Sequence, residues 1–352
     1  MNQIKNMCEM KTTADSPSKQ SPMDHAEIID YFQKHGLLAG HQAQLIPLAG
    51  GVSSDILLVV EGGKRFVFKR SLEKLRVEDD WHCSTARNIT ECEAIRYASQ
   101  LFPESVPRII HADPENRLFA MEYFDSEYSP WKQQLLEGII DLRIAERIAV
   151  VLATLHTESW LSADVRQRFD TADDFFALRV EPYLLTTGQR HPELQHEFQN
   201  EADRLQQTLL ALVHGDWSAK NFLVSRERVV ILDWEAACFG DPAFDAAFFL
   251  NLIYLKSLHR PARLIDYMQL MQVFRTEYGN RVYRLDGDLE RRIVRLTLML
   301  MLGRIDGKSR AEYIVSERDK DLVRSFVRQS LIAGVDTWEE VDHRWQMALT
   351  TS

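Results

Sequence analysis

Two short apolar runs in the second half of the chain each end in residues able to do chemistry. The first, Leu212-Val213, leads into His214, Gly215 and Asp216, and Asn221 follows that aspartate by five positions. The second, Val229-Val230-Ile231-Leu232, leads into Asp233, Trp234 and Glu235. An aspartate that orients an attacking hydroxyl, followed by an asparagine and a second aspartate on a metal, is the set of groups that phosphoryl transfer needs. Carboxylate and amide oxygens are hard donors of the kind that hold Mg2+, which makes Asn221 and Asp233 the expected metal ligands. An aspartate with an unperturbed pKa of about 3.9 is too weak a base to strip an alcohol outright. Asp216 is therefore expected to orient the hydroxyl and take up its proton as the bond to phosphorus forms. Two readings stay open for Glu235: a second metal contact, direct or through water, and a hydrogen bond to its own loop. Trp234 is expected to pack rather than to bind.

The first half of the chain offers groups suited to a nucleotide. Lys69 stands in the strand-like run Phe66-Val67-Phe68-Lys69-Arg70. Alternation puts Val67 and Lys69 on one face and Phe66, Phe68 and Arg70 on the other. Val67 would then touch the adenine of ATP, and Lys69 would reach its α- and β-phosphates. The partner of Lys69 should be a helical glutamate, for which Glu91 and Glu93 compete. Glu91, four residues before Ile95 and beside the apolar stripe, can point into a cleft. Gly50-Gly51-Val52-Ser53 reads as a turn whose backbone N–H groups and Ser53 hydroxyl could approach phosphates. Met121-Glu122-Tyr123-Phe124 follows a strand and is similar to a kinase hinge, a resemblance that implies pairing of the Glu122 and Phe124 backbone with the adenine edge. No Walker A motif occurs, which argues against the P-loop class.

Together these motifs resemble the aminoglycoside phosphotransferase and choline kinase superfamily, whose sites read His-Gly/Asn-Asp-x4-Asn and then Asp-x-Glu. The resemblance runs from roughly Leu45 to Leu331. It extends to Gly50-Gly51-Val52-Ser53-Ser54, where the family has Gly-Gly-x-Ser-Asn and this chain departs at Ser54. It extends also to Asp241-Pro-Ala-Phe-Asp245, similar to the family's Asp-Pro-x-x-Asp. The resemblance implies an α+β, two-lobed protein-kinase-like fold with a small β-rich N-lobe and a larger, mostly helical C-lobe. It implies ATP and Mg2+ as cofactors, and His214 as a brace for the catalytic loop. Asp241 would cap a helix, and Asp245 would hydrogen-bond the catalytic loop. A small-molecule hydroxyl acceptor is implied, though the motifs identify the superfamily better than the acceptor. Against a protein kinase stand His-Gly-Asp for His-Arg-Asp, Asp-Trp-Glu for Asp-Phe-Gly, and the lack of a following Ala-Pro-Glu. Against a catalytically silent nucleotide-binding regulator stands the presence of every expected chemical group.

The elements that must position these groups follow from apolar periodicity and turn residues. A helix is expected over 25–35, strands over 44–48, 55–60 and 65–70, a tight hairpin at 61–64, a helix over 87–101, and strands over 107–112 and 118–124. Helices are expected over 139–157, 194–212, 242–257, 263–278, 288–302, 320–333 and 338–349. The organisation expected is a polar, disordered leader over 1–23, an N-lobe over 24–124 that binds nucleotide, and a C-lobe over 125–352 that carries catalysis and the acceptor.

The 352 residues, 45% hydrophobic and 27% charged, are ordinary for a globular chain and enough for two lobes. The formal net charge of -10 argues against nucleic acid or an anionic membrane as partner and leans toward a neutral or cationic acceptor. Lys256, His259 and Arg260 are a counter-signal, since they could face an anionic one. Lys220 could reach the γ-phosphate or lie solvated in its loop, and Asp306 and Lys308 could bind substrate or form a turn. Cys8, Cys83, Cys92 and Cys238 form no CxxC pair, so a reduced cytoplasmic setting is expected. No apolar run of transmembrane length occurs and no secretory h-region. The sequence leaves the oligomeric state open.

Overall fold

The computed structural model describes residues 24–40, 42–48, 54–72 and 84–350. Its first helix, α1 (His25–Lys34), starts on a reciprocal cap. The Asp24 carboxylate accepts from the Glu27 N–H at 2.8 Å, and the Glu27 carboxylate accepts from the Asp24 N–H at 2.8 Å, so two orphan donors of the first turn are satisfied. Five strands form one antiparallel sheet: β1 (Gln44–Pro47), β2 (Ser54–Glu61), β3 (Lys64–Ser71), β4 (Ile109–Asp113) and β5 (Leu118–Glu122), in the order β1-β2-β3-β5-β4. Gly62 and Gly63 join β2 to β3 with φ of +54° and +87°, the positive pair that a two-residue hairpin demands.

Strand β3 is central, and both its faces are covered. Phe66 and Phe68 meet Phe32 of α1 edge-on, with centroids 5.1 and 5.8 Å apart. Val67 instead joins the larger core, together with Cys92, Ala94 and Ile95 of α2 (Arg87–Leu101). The period of two read from the sequence is therefore real here, and it delivers Lys69 to the side of the sheet where α2 lies.

From Ser129 onward helix dominates: β6 (Ser129–Pro130), α3 (Trp131–Glu137), α4 (Leu142–Glu158), α5 (Ala163–Arg168), α6 (Ala172–Phe175), a π-helical segment Phe176–Leu185, α7 (Thr186–Arg190) and α8 (Gln195–Gln207). Short strands β7 (Ala211–Val213), β8 (Phe222–Val224), β9 (Val229–Ile231) and β10 (Cys238–Gly240) carry the loops between them. Helices α9 (Ala243–His259), α10 (Leu264–Val282), α11 (Leu289–Asp306), α12 (Glu317–Ile332) and α13 (Trp338–Thr350) complete the described chain. Helix α9 is buried around its whole circumference from Ala243 to Leu258, as a nearly all-apolar helix must be. It packs against α11 and α10, and α10 in turn packs against α4.

Two expectations need correction. The helix expected over 194–212 stops at Gln207, and Ala211–Val213 is a strand paired with Cys238–Gly240. That pairing partner lies beyond any local window, so periodicity could not see it. The helix expected from 139 begins at Leu142, where the Asp141 carboxylate accepts from the Arg143 N–H at 3.0 Å. Among the described residues, no helix is long and apolar enough to cross a membrane.

Candidate active site

Asp216 sits in a loop tied down at both ends. The Asp245 carboxylate, in the first turn of α9, accepts from the His214 N–H at 2.7 Å and the Gly215 N–H at 2.8 Å. The His214 ring accepts from the Asp216 N–H at Nδ1, 3.1 Å, which leaves Nε2 to donate to the Leu232 carbonyl at 3.1 Å. One imidazole thus links the two chemistry-bearing loops, in a tautomer fixed by its partners. Burial holds its pKa below the usual histidine value, which suits a neutral bridge. Gly215 has φ +75°, and a Cβ there would lie 2.4 Å from the Ala236 carbonyl oxygen. Only glycine fits such a position.

The Asp216 carboxylate is buried and surrounded by donors. Arg179 Nη2 lies at 3.0 Å, Lys220 Nζ at 2.9 Å and the Ser218 hydroxyl at 3.3 Å. Arg179 also donates to the Gly215 carbonyl. Burial pushes the Asp216 pKa up, but Lys220 and Arg179 outweigh it and hold the carboxyl well below its ordinary range. Lys220, half-exposed, is therefore an ion-pair partner of Asp216 rather than a solvated loop residue. Asn221 donates from Nδ2 to the Asp216 carbonyl at 3.0 Å, which leaves its Oδ1 for other use.

A second constellation joins the sheet to the helical part. Lys69 Nζ lies 2.8 Å from Glu91 Oε1 and 2.7 Å from Asp233 Oδ1. Burial works against the lysine charge, but Asp233 and Glu91 raise its pKa above the ordinary value. Burial, with help from Asp233 and Glu235 and against Lys69, pushes Glu91 up to about 7. Asp233 takes φ +66°, a left-handed conformation costly for a residue with a Cβ and common at functional sites. Glu93 faces away, with Arg96 at 2.7 Å and Arg168 at 3.7 Å. Carboxylate oxygens of Glu91, Asp233 and Glu235 lie within 4.8 Å of one another. Glu235 also holds the buried Arg87 at 3.0 Å. Trp234 is fully buried, donates to the Ile231 carbonyl at 3.1 Å and packs on His214 with centroids 4.4 Å apart.

The remaining residues fall around this centre. Val67 is buried in β3. Glu122 ends β5, its N–H donating to the Arg108 carbonyl at 2.9 Å, and Phe124 follows, its ring 5.0 Å from that of Tyr128. Gly50, Gly51 and Ser53 lie outside the described residues, as does the segment 1–23. Asp241 accepts from the Ala243 N–H at 3.0 Å in the first turn of α9 and from Arg292 Nε and Nη2 at 3.1 Å each, with Arg204 as a further partner. Asp306 is taken by Arg324 at 2.7 Å and His191 at 2.9 Å, and Lys308 by Glu181 at 2.9 Å.

Arg179 and Arg87 were not legible as site residues, yet each carried a signal. Arg179 is a lone charge in the run Phe175-Phe-Ala-Leu-Arg-Val180, and a charge that interrupts an apolar run needs a partner when buried. Arg87 opens a helix, where the dipole disfavours a cation. Its guanidinium donates to the Ser84 and Leu72 carbonyls at 2.7 and 2.6 Å as well as to Glu235.

A five-stranded sheet joined to a helical lobe, with a buried Lys–Glu pair in the first and an Asp-x4-Asn loop in the second, is the architecture of the kinase-like phosphotransferases. Spectinomycin phosphotransferase, solved in complex with ADP and spectinomycin, shares the fold at a TM-score of 0.50 and 12% identity, over 90% of this chain and 100% of that one. The chain belongs to the phosphotransferase enzyme family, whose sequence profile matches residues 44–267. Methylthioribose kinase 1 of Oryza sativa subsp. japonica is 25% identical over 267 residues, 66% of this chain and 62% of that protein. Methylthioribose kinase of Escherichia coli O45:K1 (strain S88 / ExPEC) is 25% identical over 270 residues, 64% of this chain and 63% of that protein. The chain thus aligns to less than two thirds of the length of these relatives.

Proposed function

We propose that this chain is an ATP-dependent O-phosphotransferase that moves the γ-phosphate of ATP to a hydroxyl of a small molecule. The observation that carries this reading is the meeting of Lys69, Glu91 and Asp233, drawn from residues up to 164 positions apart, beside a loop that presents an ionised Asp216. A buried ion pair of this kind is costly to maintain for stability alone. Family membership and the methylthioribose kinase relatives support the same reading. The N-lobe over 24–124 would bind nucleotide, and the C-lobe over 125–352 would bind the acceptor. A cytoplasmic setting is supported by Cys92 and Cys238, both buried and unpaired.

In this scheme Lys69, held by Glu91, engages the α- and β-phosphates, Val67 touches the adenine, and the backbone of Glu122 and Phe124 pairs with its edge. Gly50, Gly51 and Ser53 would cover the phosphates. Asp216 accepts a hydrogen bond from the acceptor hydroxyl and takes its proton as the new O–P bond forms and the bond to ADP breaks. The all-oxygen donor set of Asn221 and Asp233, with Glu235 near Asp233, fits a hard divalent cation, and Mg2+ bound there would supply neutralisation of phosphate charge. His214, Asp241 and Asp245 brace the loops. An ATP-turnover assay across metabolite and antibiotic panels tests the reading. Phosphorylated small molecules are expected, whereas phosphate transfer to proteins alone, or no turnover with any acceptor, would overturn it.

A further inference from the structure

Beyond the catalytic loop lies a group of donors that, among the described residues, form no ion pair with a carboxylate. Lys256, on the last turns of α9, is 2% exposed, and its ammonium donates only to the Leu252 carbonyl of its own helix, at 3.3 Å. It sits over the Tyr313 ring, 5.1 Å from the centroid. The Tyr313 hydroxyl is itself buried and without a hydrogen-bond partner, and so is Nε of Arg304. The other Arg304 nitrogens reach only neutral groups: the Tyr183 hydroxyl at 3.2 Å, the Ser309 hydroxyl at 2.8 Å and the Arg310 carbonyl at 3.4 Å. The neighbouring carboxylates are engaged elsewhere, Glu312 by Lys132 and Glu181 by Lys308. An ammonium, a guanidinium and a phenol are all donors, and buried donors left unmade are costly. The chemistry they lack is an acceptor bearing negative charge.

The cluster connects to the catalytic loop by direct contacts. Arg179, on Asp216, lies over the Phe248 ring at 5.8 Å. Phe248 packs on Tyr183 with centroids 5.4 Å apart, and the Tyr183 hydroxyl meets Arg304. Lys256 follows Phe248 by eight residues on α9, a rise of about 12 Å. These contacts link the cluster to the elements that hold Asp216. Gly303 permits this packing, since a Cβ there would stand 2.7 Å from the Tyr183 carbonyl oxygen. Side chains of Lys132 and Arg304 are partly exposed, so the cluster borders solvent.

We infer that Lys256, Arg304 and the Tyr313 hydroxyl form an anion subsite of the acceptor pocket, and that the acceptor of this phosphotransferase carries a carboxylate or phosphate group besides its hydroxyl. The inference rests on the phosphotransferase reading above and specifies its substrate class. The local charge decides here over the net charge of the chain, because a ligand meets the few groups that line its site. Burial, reinforced by Lys132 and Arg304 and opposed by Glu312, brings the Lys256 pKa down to about 7. A folded-state pKa below the unfolded one makes the charged lysine a stability cost that grows as pH falls toward that value, a cost an anionic ligand would offset.

The test pairs sugar phosphates and sugar acids with matched neutral sugars and with aminoglycosides as acceptors, using the full chain with Mg-ATP. The anionic acceptors are expected to turn over best, and the better of the two anionic arms identifies phosphate or carboxylate. Lys256→Met and Arg304→Met should each raise the acceptor KM by about 10–100-fold, the value of a hydrogen bond to a charged group, with kcat and the KM for ATP little changed. Lys256→Met should also raise the melting temperature of the free protein at neutral pH, so loss of folding would not explain its defect. If the best acceptor is neutral or cationic, or if both variants leave the KM of an anionic acceptor unmoved, the anion subsite is refuted while the phosphotransferase reading stands. If only proteins are phosphorylated, both fall.

Discussion

The Asp216 carboxylate is buried yet held in its ionised form, and the reason is the pair of cations facing it. Lys220 and Arg179 outweigh the burial that would otherwise favour the protonated acid. Asp216→Asn keeps the shape but removes the proton acceptor, and should lower kcat by about 10²–10⁴ while Mg-ATP still binds by calorimetry. Arg179→Met removes one stabilising charge, so the Asp216 pKa must rise. The acidic limb of the kcat–pH profile should then move to higher pH, and an unmoved limb would separate Arg179 from the ionisation of Asp216. The same scale holds the choice between Glu91 and Glu93. A double-mutant cycle on kcat/KM should show Lys69 coupled to Glu91, at about 0.5–3 kcal/mol for groups in contact, and uncoupled from Glu93, which pairs with Arg96 and Arg168. The reverse result would move the assignment to Glu93.

At the scale of elements, the catalytic loop depends on one backbone position that tolerates little change. The turn at Gly215 brings its own backbone against the Ala236 carbonyl and aims both His214 and Gly215 N–H groups at Asp245. Gly215→Ala combines a positive φ with a 2.4 Å approach. Backbone strain of this kind costs about 1–3 kcal/mol, and the close contact adds to it. Chemical denaturation should show a lowered midpoint, and activity should fall further than stability because Asp216 shifts with the loop. Retained activity at an unchanged midpoint would show that the loop can relax around the methyl group. The π-helical segment Phe176–Leu185 has a comparable role, since it carries Arg179 and Tyr183 toward the site from between two short helices.

At the scale of the molecule, Lys69 and Asp233 tie the sheet to the helical part through a part-buried contact. A ligand that engages both should stabilise the folded chain by mass action, about 2.7 kcal/mol at a hundredfold excess over Kd. Thermal melts should show a clear rise with Mg-ATP and a smaller one with ATP in the presence of a chelator. Asp233→Asn should abolish the difference between the two, because it removes a charge from the divalent site. A Mg2+ dependence that survives this substitution would reject Asp233 as a ligand.

Much of this protein was determined by short-range pattern. The Gly62-Gly63 hairpin, the alternation around Lys69 and the bounds of α2 are set by neighbours within a few residues, so the sequence alone carries them. The pairing of spaced residues, His214 with Asp216 and Asn221, and Asp233 with Glu235, was legible for the same reason: the chemistry and the spacing lie in one segment. What only the tertiary structure decided is which distant groups meet. Arg179 on Asp216, Arg87 on Glu235, strand β7 on β10, and the buried Lys256 over Tyr313 join positions that packing brings together. No local propensity records such a pairing, because its free energy comes from burial and charge between segments that are neighbours only once the chain has folded.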